Sequence, residues 1–383
     1  MTSSPAFDAA AFQRLDASIQ ADIDRGENFG ASVLVAHAGE VVHRGLYGEV
    51  EPGRAAAADD RYMLMSMSKG YTAALCLQAI DHGRFGLDTR VDDLVPGFGF
   101  GGKAKATVRQ LFTHTAGLPA GLFPSTLGPD SIGDLAAKVK AISALPALYT
   151  PGTRSLYTMG LGYDVLGQIL VNTDSAGRSF REIAAQELFE PLGMHQTTFG
   201  ASLTDPKRIP VSHTPARTGP TAAMSKLVLH DLMDEKAELP AGGAYSTIDD
   251  VLRFTEVMRG RGTSGQTRLL SPALFDYAAM DHTPGLVNEA WTFENETRGF
   301  DPLPARFNLL GGYTRGVGHV THAAGHTASP RSIALLGGGS TAWMIDPERD
   351  LTVILLTAGF VEGLDHLFRV QRINDLALAA VQA

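Results

Sequence analysis

One cysteine in 383 residues leaves no room for an intrachain disulfide framework. That thiol, Cys76, stands in the apolar run AALCLQAI and reads as a buried structural side chain rather than a nucleophile. An excess of positive charge is also missing: 32 Lys and Arg face 41 Asp and Glu, a formal charge of −9. Nucleic-acid binders present a basic face, and the nearest basic clusters here, GKAKATVR and RGRG, are short and lack interleaved aromatics. Both read as solvated loop charge, so no nucleic-acid partner is expected. The apolar run Ser332 to Ile345 has 14 residues and three glycines, too short to span a bilayer. The opening MTSSPAFDAAAF has no basic segment followed by an apolar one. The expectation is a cytoplasmic protein with no secretory leader and no membrane partner.

What is present is an ordinary globular composition with 42 glycines and 20 prolines, which favours many turns between short elements. The length exceeds the about 250–300 residues at which one core stops growing, so a composite domain or two intimate ones is expected. Phe12, Leu15, Ile19 and Ile23 recur at helical spacing, and ASVLVAHAGEVVHRGLYG then reads as two strands folded at Ala38-Gly39. Helical segments separated by Gly/Pro turns follow: Ser66 to Asp81, Val108 to Thr113, Ile132 to Leu145, Gly162 to Asn172 and Phe180 to Leu188. A helix from Ile248 to Met258 precedes the apolar runs SIALL, STAWMI and LTVILLT, and a closing helix lies within 361–381. The fold class is α+β: one antiparallel sheet built from residues 1–60 and 225–383, with a helical domain, 61–224, inserted between them.

In RYMLMSMSKGYTAAL a lysine follows a serine by three residues within an apolar run. On a helix those positions share a face, about 5–6 Å apart at Cβ, so Ser66 and Lys69 can touch. Ser66 also sits near a helix start, where free N–H groups favour a developing oxyanion. A serine hydroxyl needs a base, and a lysine serves as one when its ammonium is destabilised by desolvation or nearby positive charge. A bare S-x-x-K is equally a first-turn serine beside a snorkelling lysine.

Further phrases follow in order: GRFGLDTRVDDLVPGF, QLFTHTAGLP, PGTRSLYTMGLGYDVLG, FEPLGMHQTTF and PAGGAYSTIDDVLRF. Together with MSMSKG these resemble the serine β-lactamase and penicillin-binding-protein superfamily, in its class-C-like branch and closest to family VIII carboxylesterases and related transesterases. The likeness runs from about Gly30 to Thr357. It implies a β-lactamase/transpeptidase-like fold, an active site in the cleft between sheet and helical lobe, and an acyl-enzyme on Ser66 with Lys69 as its partner. No cofactor or metal is implied. Tyr157-Thr158-Met159 matches the second motif, usually Y-x-N or S-x-N, and gives Tyr157 the part of base or proton relay. Met159 cannot hydrogen-bond a substrate amide as the asparagine does, a departure toward esters and away from lactams or peptides. For the third motif, counting back from STAWMIDPERDL matches Leu336-Gly337-Gly338 and makes Gly339 the backbone donor that joins Ser66 in the oxyanion hole. A rival alignment uses GHTA at His326, Thr327 and Ala328.

Met65, Met159, His326 and Trp291 are the expected lining of the substrate pocket, and His114 in THTAGLP reads as structural support. GFGFGG fits G-x-G-x-x-G but follows a proline loop instead of a strand. Ser340 in GGSTA lacks the strand-turn-helix setting of a nucleophile elbow. His319, His322 and His326 have metal-like spacing, but Gly318, Gly325 and Pro330 break the helix that spacing needs.

The expected function is a serine hydrolase acting on esters of small or medium carboxylic acids. An acyltransferase using the same acyl-enzyme is the alternative, followed by weak β-lactamase or D-amino peptidase activity and by a non-catalytic binding scaffold. The expected partner is a small-molecule ester or acyl donor, and self-assembly is not readable.

Overall fold

The computed structural model describes residues 7–217, 226–318 and 321–381. Its main sheet has seven strands: β1 (Gly30–His37), β2 (Glu40–Glu51), β3 (Arg54–Ala55), β9 (Tyr313–Thr314), β10 (Ile333–Gly337), β11 (Thr341–Asp346) and β12 (Leu351–Ala358). Their order is β3-β2-β1-β12-β11-β10-β9, and every neighbouring pair runs antiparallel. β1 lies against β12 from Gly30 opposite Ala358 to His37 opposite Leu351, so strands from the two ends of the chain form the sheet's centre. A three-stranded sheet joins β4 (Tyr62–Met63), β6 (Ala244–Ser246) and β5 (Thr198–Phe199), and β7 (Thr263–Ser264) pairs with β8 (Thr267–Arg268).

The helices are α1 (Ala9–Asp24), α2 (Ser68–Asp81), α3 (Val91–Leu94), α4 (Val108–Phe112), α5 (Leu135–Ser143), α6 (Leu161–Asn172), α7 (Phe180–Ala184), α8 (Ile248–Arg259), α9 (Pro272–Ala278), α10 (Thr292–Arg298) and α11 (Gly363–Leu378). Strand alternation sends side chains to both faces, and both faces are covered. Val33, Val35, Met344, Val353 and Leu355 pack with Phe12, Leu15 and Ile19 of α1 and Leu364, Val370 and Ile373 of α11. Leu34, Leu335, Trp343, Ile354 and Leu356 pack instead with α2, α6 and the Val251–Phe254–Met258 stripe of α8. Each such side chain, fully buried, contributes about 1.5–3 kcal/mol, which fixes the register of the central strands. Asp8 caps α1 by accepting the Ala10 N–H, and Thr247 caps α8 by accepting that of Asp250.

The helical segments between β4 and β6 close over α2, so the sheet-and-inserted-helices order expected from the sequence is present. The expected domain boundary at 224/225 lies outside the described residues.

The junction that matters most is between β10 and the start of α2. A Cβ on Gly337 would come within 2.2 Å of the Leu64 carbonyl oxygen, and one on Gly311 within 2.7 Å of the Lys69 carbonyl. Gly311 also has φ +89°, a conformation other residues rarely take. Gly311→Ala is therefore expected to cost at least about 2 kcal/mol, read as a lowered urea midpoint at unchanged slope.

Candidate active site

β4 carries the chain to Leu64, whose N–H donates to Ala244 at 2.8 Å and whose carbonyl accepts Thr341 Oγ1 at 2.7 Å. A single 3₁₀ turn, Met65–Met67, then presents half-buried Ser66, and α2 continues from Ser68. Met65 enters that turn at φ +51°. His114 (φ +55°) and Met159 (φ +49°) are also left-handed, a conformation that costs about 1–3 kcal/mol each for a non-glycine residue. Met65 immediately precedes Ser66, and Met159 closes the Tyr157-Thr158-Met159 motif.

Lys69 is 1% exposed. Its Nζ lies 2.9 Å from Ser66 Oγ and donates to the Ala241 carbonyl at 2.9 Å. The same nitrogen is 5.1 Å from the Tyr157 ring centre and 5.6 Å from that of Tyr163. Among the described residues no carboxylate forms an ion pair with it. Tyr157 is half-buried on the loop before α6, held from below by His114. The His114 carbonyl accepts the Leu156 N–H at 3.1 Å, its Nδ1 accepts the Thr158 N–H at 3.2 Å, and its ring packs 4.5 Å from the Tyr157 ring. Burial first, and then the charge of Lys69, push His114 well below the ordinary imidazole range, so the ring is neutral and supports the loop. Burial, with Tyr157 next in effect, holds Tyr163 and Tyr313 well above the ordinary phenol range.

The third-motif segment follows from strand alternation. The Arg315 N–H donates to the Ser332 carbonyl at 2.8 Å, so the backbone of Ser332 faces β9, and that of Ala334 and Leu336 turns the same way. β9 reaches only Tyr313, opposite Ala334, which leaves Leu336 and then Gly338 along an open edge. A Cβ on exposed Gly338 would lie 3.6 Å from Met65 Cε. Gly339, the expected donor, is instead the φ +79° corner of the turn closed by the Ser340 N–H to Gly337. Its carbonyl accepts the Val361 N–H at 2.7 Å and Arg369 at 3.2 Å, on the far side of the hairpin. Gly338, one residue earlier than the expected donor, is thus the glycine that stands against the Met65 side chain.

Two other expectations are corrected. His326 does not reach the mouth: its N–H donates to Asp375 at 3.2 Å and its ring meets Gln371, both on α11. Thr327 is tied to the same Asp375, and Ala328 is buried in the α1–α11 core, which removes the rival GHTA alignment. Trp291 packs against that core as well, and with Leu336, Tyr313 and His322 it lines a cavity of about 30 Å³. That is room for a water rather than an acyl chain. Met65 is half-buried and Met159 is 47% exposed.

In GFGFGG the N–H groups of Gly97 and Gly99 are already taken by Asp92. His319 lies outside the described residues, among which no group of three His, Cys, Asp or Glu is placed to hold a metal. No helix among them is long and apolar enough to cross a membrane. Sequence reasoning passed over Asp164 and Lys138, a fully buried ion pair at 3.0 Å. The signal was an acidic residue in the apolar helical run GLGYDVLG.

The family model described as Beta-lactamase matches residues 15–378, nearly the whole chain. The chain belongs to the beta-lactamase family. Within it, the chain is 34% identical to penicillin-binding protein 4 of Amycolatopsis lactamdurans, over 66% of this chain and 63% of that one. It is 26% identical to esterase EstB of Burkholderia gladioli, over 92% and 91%. Among solved structures, EstCE1, a hydrolase with promiscuous acyltransferase activity, superposes with a TM-score of 0.78 at 23% identity, covering 96% of this chain and 98% of that one. A family VIII carboxylesterase superposes at 0.74 and 18%, covering 97% and 98%. These two likenesses establish the beta-lactamase fold, and with it the α+β class.

Proposed function

We propose that this chain is a serine hydrolase that forms an acyl-enzyme on Ser66 and acts on esters of small or medium carboxylic acids. The observation that carries the reading is the 2.9 Å approach of buried Lys69 Nζ to Ser66 Oγ. A binding scaffold has little use for a desolvated lysine against a serine. Ser66 attacks the ester carbonyl while Lys69 and Tyr157 take the hydroxyl proton and pass one to the leaving alcohol. The N–H groups of Ser66 and Gly338 hold the oxyanion. Water then enters by the same relay, releases the acid and restores Ser66.

Ester chemistry is favoured over lactam or peptide chemistry by Met159, whose exposed thioether stands where an amide-binding asparagine is usual. The names esterase EstB and family VIII carboxylesterase, borne by similar proteins, point the same way. The second reading is acyl transfer to an alcohol. The likeness to EstCE1, a hydrolase with promiscuous acyltransferase activity, supports it.

Turnover of p-nitrophenyl butyrate against a chromogenic cephalosporin, with and without added alcohol, ranks these readings. Faster cephalosporin than ester turnover contradicts the ester reading, and a new ester product marks transfer. Tyr157→Phe is expected to lower kcat by about 10²–10³ while KM stays within about threefold, because the relay acts in the transition state.

A further inference from the structure

Buried groups outside the reacting set converge on the segment that holds Lys69. The Ala241 carbonyl accepts Lys69 Nζ at 2.9 Å. The peptide before it, joining Pro240 to Ala241, is gripped at both ends. Thr72 Oγ1, one turn beyond Lys69 on α2, donates to the Pro240 carbonyl at 2.7 Å. Asp164 Oδ1, on α6, accepts the Ala241 N–H at 3.2 Å. The other oxygen of Asp164 lies 3.0 Å from Lys138 Nζ, with both side chains 0% exposed, and Lys138 donates onward to the Glu238 carbonyl at 3.0 Å. A buried ion pair is weak ground for stability, since an apolar pair of similar volume often serves as well or better. What this one delivers is a fixed acceptor for an N–H whose own residue carries the carbonyl that holds the base.

We infer that Asp164 is a positioning residue for Lys69, acting with Thr72 through the Pro240–Ala241 peptide to aim Nζ at Ser66. This rests on the acyl-enzyme reading above. Lys138 keeps the Asp164 carboxylate in place without touching the segment's N–H itself.

The test is steady-state turnover of p-nitrophenyl butyrate by the full chain. Asp164→Leu combined with Lys138→Met removes the acceptor and strands no charge. It is expected to lower kcat about 30-fold with KM within about twofold, because misaimed catalytic groups cost rate rather than binding. Asp164→Asn combined with Lys138→Met supplies an oxygen to the Ala241 N–H again and is expected to return kcat to within about threefold of wild type. Thr72→Val frees the same peptide at its other end and leaves the ion pair alone. It is expected to lower kcat about fivefold, and it carries the test if the leucine pair does not fold. Wild-type kcat in the leucine pair and in Thr72→Val overturns the inference, and so does an equal loss in the leucine and asparagine pairs. Failure of the acyl-enzyme reading shows separately, as wild-type chain with no turnover, and takes the inference with it.

Discussion

Lys69→Met is expected to lower kcat/KM for p-nitrophenyl butyrate by about 10³–10⁴, the upper range for loss of a positioned general base. Methionine matches the reach of the lysine stem and tolerates the apolar wall of Tyr157 and Tyr163, so packing survives. The Ala241 carbonyl loses one donor, at a cost of about 1 kcal/mol, which in a chain of this size lowers the melting temperature by no more than about 4 °C. An inactive variant that also melts far lower signals loss of fold instead. The double variant with Ser66→Ala is expected to be no worse than Ser66→Ala alone, since residues that act as one unit are not additive. Additive losses in the double variant contradict a shared proton-transfer step.

The second large effect is on stability below neutral pH. Burial, with neighbouring arginines next in effect, lowers His322 and His366 to about 3, and His114 is also pushed well down. His322 Nδ1 accepts the Ala324 N–H at 3.0 Å, and the Arg369 guanidinium lies 3.0 Å from His366 Nδ1, so neither ring welcomes a second proton. The unfolded chain takes a proton at each near pH 6.5, and the folded chain does not. Stability contributed by these neutral rings is therefore present above about pH 6.5 and lost as pH falls toward 3. At pH 5 each has cost about 2 kcal/mol, and His322 and His366 together about 4, a large part of a typical 5–15 kcal/mol total. Loss driven by paired carboxylates such as Asp174, lowered to about 2 by Arg178, comes only at more acid pH. Urea midpoints at pH 7 and pH 5 are expected to differ strongly, and His366→Gln is expected to flatten the slope by about one proton's share. Equal midpoints at the two pH values contradict the burial of neutral imidazoles.

Much of the site is legible in the sequence because its first pair is local. Ser66 and Lys69 are three residues apart, and helical periodicity alone brings them together. Tyr157 is remote, yet PGTRSLY announces it, and the structure sets its ring over Lys69. The third motif is the least legible part, and the proposed donor moves from Gly339 to Gly338 for a physical reason. Whether Gly338 or Gly339 faces the cleft depends on strand parity and on where β9 stops, and neither is written near LLGGGS. His326 fails similarly: its sequence context suggests a mouth residue, while Asp375 and Gln371, some fifty residues away, hold it on the opposite layer. Asp164 and Lys138 were invisible as a pair because a buried charge announces a partner without naming it.

The sheet was readable where apolar runs are long, at LTVILLT and STAWMI. The two- and three-residue strands β4, β5 and β6 were not, since they carry no periodicity of their own. Those short strands nevertheless deliver Leu64 to Ala244 and so set the height of Ser66.

Intact-mass measurement after incubation with a fluorophosphonate tests the proposed chemistry most directly. One adduct per chain is expected, located on Ser66, absent from Ser66→Ala and strongly slowed in Lys69→Met. A chain that takes no adduct, or takes it on another serine such as Ser340, contradicts a nucleophile at Ser66.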